Sequence, residues 1–147
     1  MSRHIAGICL FSLFCTVVDG QILINEFMAA NSSAVTDPDN GNSSDWIEIY
    51  NAFDTDLEIG GYYLTDNLND TTKWMIPTGT TIATHSFLVF WCDATNIGLH
   101  TSFSLSSVGE ELGIYSNDLV LLDGFSFTTQ ETDISYGRTN DGSSSWS

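Results

Sequence analysis

Positive charge is nearly absent from this sequence. Three Lys and Arg stand against 19 Asp and Glu in 147 residues, a formal net charge of -16 at pH 7. A field of that sign repels phosphate backbones, which argues against direct nucleic-acid binding. Cysteine is scarce as well, with Cys9, Cys15 and Cys92 the whole supply, and the two prolines form no Pro-rich linker. No apolar run reaches the roughly 20 residues that a membrane-spanning helix needs. Sustained helical periodicity is also missing, which argues against helical bundles and doubly wound folds.

The chain opens with "MSRHIAGICLFSLFCTVVDGQ". Arg3 precedes an apolar run from Ile5 to Val18, and the small residues Val18 and Gly20 flank a cleavage point before Gln21. This pattern predicts a secretory signal peptide over residues 1–20 and a secreted or cell-surface protein with no membrane span after cleavage. Phe14 stands before Cys15, where a lipoprotein would carry a small residue. Residues 21–147 then form one domain, large enough for a real core. Cys92 is the only cysteine of that part, so no internal disulfide forms and stability must come from packing. The acidic residues are scattered and 42% of residues are hydrophobic, a globular balance rather than a disordered one.

Short apolar runs rich in branched and aromatic residues alternate with Gly, Asn, Asp, Ser and Thr, the pattern of an antiparallel sandwich or barrel. Strands are expected near 22–29, 45–51, 60–65, 73–76, 80–83, 86–92, 100–104, 110–115, 118–127 and 134–138. In "SDWIEIYN", Ile47 and Ile49 point to one face and Trp46, Glu48 and Tyr50 to the other. "FLVFWC" at 87–92 is apolar on both faces and predicts a central strand. "SNDL" at 116–119 predicts a hairpin turn on Asn117 and Asp118, and Gly60 and Gly61 predict a bulge or tight corner. Another turn is expected at Asp141 and Gly142.

The sharpest polar cluster is "TDPDNGNSSD" at 36–45, where Asp37, Asp39, Asn42 and Asp45 supply oxygen donors around Gly41. Ca²⁺ takes six to eight such oxygens, so this loop is the candidate calcium site, although the EF-hand spacing fails after three positions. The alternative is a solvated loop. Asp66 and Asp70 in "TDNLNDTT" repeat the pattern more weakly. Glycoside hydrolysis needs two carboxyls facing one bond. Asp45 and Glu48 lie three apart on one strand and leave opposite faces, so they cannot straddle it. Trp46, Tyr62 and Trp74 are candidate ligand platforms; covering the sheet's second face is the competing use of such rings. His85 and His100 stand isolated, and Cys92 reads as a small buried hydrophobe. The chain contains no GxSxG, HExxH or Gly-rich phosphate loop.

"INEFMAAN" at 24–31, "DWIEIYN" at 45–51, "LEIGGYYLTD" at 57–66, "WMIPTGTTI" at 74–82, "FSLSSVGEELGIY" at 103–115 and "SYGRTNDG" at 135–142 together resemble the lamin tail domain, in order and over nearly all of residues 21–147. The form is similar to the lamin-tail modules of secreted bacterial proteins, not to nuclear lamins with their coiled-coil rod. The resemblance implies an immunoglobulin-like antiparallel β-sandwich without catalytic residues. It further implies an accessory domain of a larger protein, one that continues past Trp146 and binds or tethers an extracellular protein or polysaccharide. The alternative is a small Ca²⁺-dependent carbohydrate-binding module, with the 36–45 loop as metal site and Trp46, Tyr62 or Trp74 as platform.

Overall fold

Antiparallel pairing dominates the computed structural model, which describes residues 21–147. The signal segment expected at 1–20, with Cys9 and Cys15, lies outside the described residues. The strands are β1 (Ile22–Met28), β2 (Trp46–Asn51), β3 (Leu57–Glu58), β4 (Tyr63–Thr65), β5 (Trp74–Met75), β6 (Thr81–Ile82), β7 (Phe87–Trp91), β8 (Gly109–Tyr115), β9 (Leu121–Thr128) and β10 (Tyr136–Gly137). One four-stranded sheet has the order β10-β1-β2-β7 and the other β5-β4-β8-β9, with a two-stranded β3-β6 sheet beside them. Among the described residues there is no helix. The fold is the expected all-β, immunoglobulin-like sandwich.

The core lies between the two large sheets. Ile24, Phe27, Ile47, Ile49 and Phe90 come from one, and Leu64, Leu112, Ile114 and Phe127 from the other. Strict alternation would send Ile24 and Phe27 to opposite faces, since three positions separate them. A bulge between Ile24 and Glu26 inserts one residue into β1, so that both side chains are fully buried in the same core. Phe27 then packs against Phe127 and Phe125, with ring centroids 4.5 and 5.7 Å away. Across the outer face of the first sheet, Met28, Trp46 and Trp91 stand in register as a second, smaller cluster. Beside them Tyr50 stacks on Phe87 at 4.9 Å.

Several expectations need correction. Residues 100–104 form no strand: Thr101, Phe103 and Leu105 are buried alternately, but the backbone makes only single bridges, Trp91 with His100 and Asp93 with Ser104. β7 is not central but an edge strand of its sheet, and its first residue, Phe87, is exposed. β3 was not expected; it is two residues long and precedes the corner. Gly60 and Gly61 form the tight corner itself, where a Cβ on Gly60 would stand 2.8 Å from the Gly79 nitrogen. In the 116–119 hairpin the left-handed residue is Leu119, at φ 60°, rather than Asn117 or Asp118.

Candidate functional site

The loop between β1 and β2 is organised by its own polar residues. Asn31 donates from Nδ2 to the carbonyls of Val35 and Ser44, each at 2.7 Å, and its own N–H is held by Asp45 Oδ1 at 2.8 Å. Further in, the Asp37 N–H donates to the Asn42 carbonyl at 2.8 Å, and the Gly41 N–H returns to the Asp37 carbonyl at 2.9 Å. Gly41 sits at φ 77°, where a side chain would be strained. This tight ring turns the Asp37 carboxylate inward. Its Oδ1 accepts the Asp39 N–H at 2.8 Å.

The segment after β7 supplies the other half. Ala94, Asn96 and Gly98 all adopt left-handed backbone, at φ 62°, 58° and 60°. Trp74 Nε1 donates to Asn96 Oδ1 at 2.9 Å, and the N–H of His100 reaches the Ile97 carbonyl at 3.0 Å. The coil delivers His100 onto Asp37. Its Nδ1 lies 2.9 Å from Asp93 Oδ2, and its Nε2 lies 3.6 Å from Asp37 Oδ2 and 3.5 Å from Asp39 Oδ2. The side chain of Asp37 is 0% exposed, His100 8%, Asp93 14% and Asp39 71%.

These groups are unevenly satisfied. Asp93 is fully engaged, because Thr95 donates to its Oδ1 from both N–H and hydroxyl while Oδ2 meets His100. Asp37 Oδ2 is buried with no hydrogen-bond partner. Burial opposes the charge on His100, but the hydrogen bond and charge of Asp93, with Asp39 and Asp37 beside it, hold its pKa above the ordinary value. Burial alone would raise Asp93, yet the Thr95 and His100 hydrogen bonds outweigh it and lower its pKa. One oxygen each from Asp37 and Asp93 and one His100 nitrogen lie within 4.8 Å of one another. A hollow of about 300 Å³, lined by Asp39, Asn40, Thr95, Ile97 and Gly98, opens beside His100.

Of the residues expected to hold calcium, Asp37 and Asp39 converge on His100. Asn42 is exposed and engages through its main chain, its carbonyl accepting the Asp37 N–H and its own N–H donating to Asn40 Oδ1. Asp45 is committed to the Asn31 N–H, and half-burial raises its pKa. Asp66 pairs with Lys73. His100 read as isolated because Asp37 and Asp39 lie 63 and 61 positions before it, a proximity that only the fold creates, and Asp93, seven positions before it, was not singled out.

The ring platforms also differ from expectation. Trp46 is 6% exposed within the Met28 and Trp91 cluster, and Trp74 is 5% exposed, edge-on to Phe90 at 5.8 Å. Neither presents an open ring face. Tyr62 is half-buried and lines a groove of about 260 Å³ with Phe53, Leu57, Val120, Leu121 and Leu122. Leu119, Val120 and Leu121 around it are exposed, Val120 at 58%. Cys92 is buried, which pushes its thiol pKa well up and leaves it unreactive. The exposed His85 pairs with Asp54 at 3.0 Å.

The family model described as Lamin Tail Domain matches residues 18–137, a span that takes in every strand from β1 to β10. No curated protein matches the chain.

Proposed function

The chain belongs to the lamin tail domain family, and from that premise we propose that it is a secreted interaction or tethering module, an accessory part of an extracellular or cell-surface protein. The family is a non-enzymatic, immunoglobulin-like module. The observation that carries the reading is the groove at Tyr62. Both cations of the described residues are spent internally, Lys73 on Asp66 and Arg138 on Asp123, so the surface is almost uniformly acidic. On that surface Leu119, Val120 and Leu121 form an exposed apolar island beside an apolar hollow. Apolar exposure rimmed by charge marks protein contact sites. Extracellular protein fits this groove better than polysaccharide, because sugars stack on open aromatic faces and Trp46 and Trp74 are enclosed.

Site-specific photocrosslinking tests the reading. A benzophenone side chain at Val120, in the full chain secreted by its producing cells, is expected to give one discrete protein adduct that a probe at Thr84 does not give. Identical patterns from both positions would remove the groove from the account.

A further inference from the structure

A buried carboxylate oxygen without a donor costs free energy, and a sequence that keeps one has usually a partner for it. Asp37 Oδ2 is such an atom. It faces His100 Nε2 at 3.6 Å, too far for a good hydrogen bond, and Asp39 Oδ2 stands at 3.5 Å from the same nitrogen. A tetrahedral Zn²⁺ with bonds of about 2.0–2.2 Å holds neighbouring donor atoms roughly 3.3–3.6 Å apart. Each of the two carboxylate oxygens therefore stands at ligand spacing from the histidine nitrogen, and Asp37 Oδ2 has no hydrogen-bond partner.

The other ring nitrogen strengthens this assignment. His100 Nδ1 meets Asp93 Oδ2 at 2.9 Å, and Thr95 fixes the second oxygen of Asp93. A carboxylate on one imidazole nitrogen sets the tautomer that leaves the other nitrogen's lone pair free for a metal, the arrangement found behind metal-binding histidines. We propose that His100 Nε2 and Asp37 Oδ2 bind a divalent metal of the zinc class, that the exposed Asp39 side chain turns in as the third ligand, and that Asp93 is the positioning residue behind the histidine. Imidazole suits Zn²⁺ and Co²⁺, whereas Ca²⁺ takes six to eight oxygens. Asp45, bonded to Asn31, does not complete such an oxygen shell. The hollow beside Asp39 and Ile97 leaves the fourth coordination position to water or to a donor from a partner. Bound there, the ion ties the β1–β2 loop to the 93–100 coil and neutralises carboxylates that otherwise repel.

The test titrates the chelator-stripped full chain with Co²⁺ and follows its visible d–d bands, then measures Tm with Zn²⁺, with Ca²⁺ and after EDTA. One cobalt per chain is expected, without a thiolate charge-transfer band and displaced by zinc. Zinc should raise Tm more than calcium does, and EDTA should reverse the rise. Asp93→Asn should weaken binding roughly 10–100-fold. His100→Gln and Asp39→Asn should abolish the bands, while His85→Gln binds as the natural chain does. Asp39 is mostly exposed, so its variant folds and decides the matter even if His100→Gln does not. Unchanged cobalt bands in Asp39→Asn, no bands in the natural chain, or a larger shift with calcium than with zinc would each overturn the proposal.

Discussion

Asp123 and Arg138 form a nearly buried ion pair, with Asp123 Oδ2 2.7 Å from Arg138 Nη2. The same oxygen accepts the Ile24 N–H at 2.9 Å, while Arg138 Nε donates to the Ile24 carbonyl at 2.9 Å. Asp123 belongs to β9 and Ile24 to β1, so the pair joins the two sheets across the sandwich. Arg138 also lies over the Trp146 ring at 4.9 Å and donates to the Ser143 carbonyl, which fastens the last turn to the sheet. Removing one partner of such a pair strands the other charge.

Arg138→Ala should therefore cost about 3 kcal/mol, in the range for a broken buried pair. Replacing both residues, as Arg138→Met with Asp123→Leu, should recover part of that loss because no unpaired charge remains. Denaturant unfolding of the single and double variants measures both values.

Asn51 is fully buried and donates from Nδ2 to the carbonyls of Thr55, Ile82 and Ala83, while its Oδ1 accepts the Phe53 N–H. Asn51→Ala leaves these groups unpaired and should cost about 3 kcal/mol. Asn51→Asp should be as damaging at neutral pH, since a carboxylate cannot donate to a carbonyl. Thermal unfolding of the two variants at pH 7 makes the comparison.

Leu119 is the opposite case, an exposed side chain held at φ 60°. Left-handed backbone costs a non-glycine residue about 1–2 kcal/mol, and glycine gives back part of the relief through unfolded-state entropy. Leu119→Gly should raise stability by roughly 0.5–1 kcal/mol. A fall in Tm on this substitution would show that the Leu119 side chain contributes more to packing than its exposure suggests.

Glu48 gives a pH dependence of defined sign. Burial raises its pKa, the Asn25 hydrogen bond partly offsets this, and the charges of Glu26 and Asp141 push it further up. A carboxyl with a raised folded-state pKa favours the fold when protonated, so this stability is present at acid pH and lost as pH rises through the folded value. Glu48→Gln keeps an oxygen for the Asn25 Nδ2 donor, 3.0 Å away in the natural chain, and removes the charge. Its Tm should exceed that of the natural chain at pH 8, and the gap should close near pH 4.

The strands with the clearest period-two patterns were legible in the sequence, above all β2, where Ile47 and Ile49 face the core and Trp46 covers the outer face. Alternation misled at 100–104, because it reports alternate burial and not a hydrogen-bonded ladder; Thr101, Phe103 and Leu105 are buried from a segment held by isolated bridges. The bulge that brings Ile24 and Phe27 to one face carries no mark in "INEFM" beyond Asn25 itself. The polar loop at 36–45 was visible as a cluster of donors, but not the direction in which each points. Asp45 turned out to organise the backbone, and Asp37 to meet a histidine 63 positions later.

Attachment through the groove is the central claim, and surface retention tests it most directly. The full chain carrying a fluorescent reporter at its C-terminus would be expressed in its producing cells, with the mature N-terminus read by mass spectrometry. The account predicts processing before Gln21 and reporter held on the cell surface, with Val120→Asp plus Leu121→Asp releasing it to the medium while Tm is unchanged. Equal partition of the two proteins between surface and medium would contradict it.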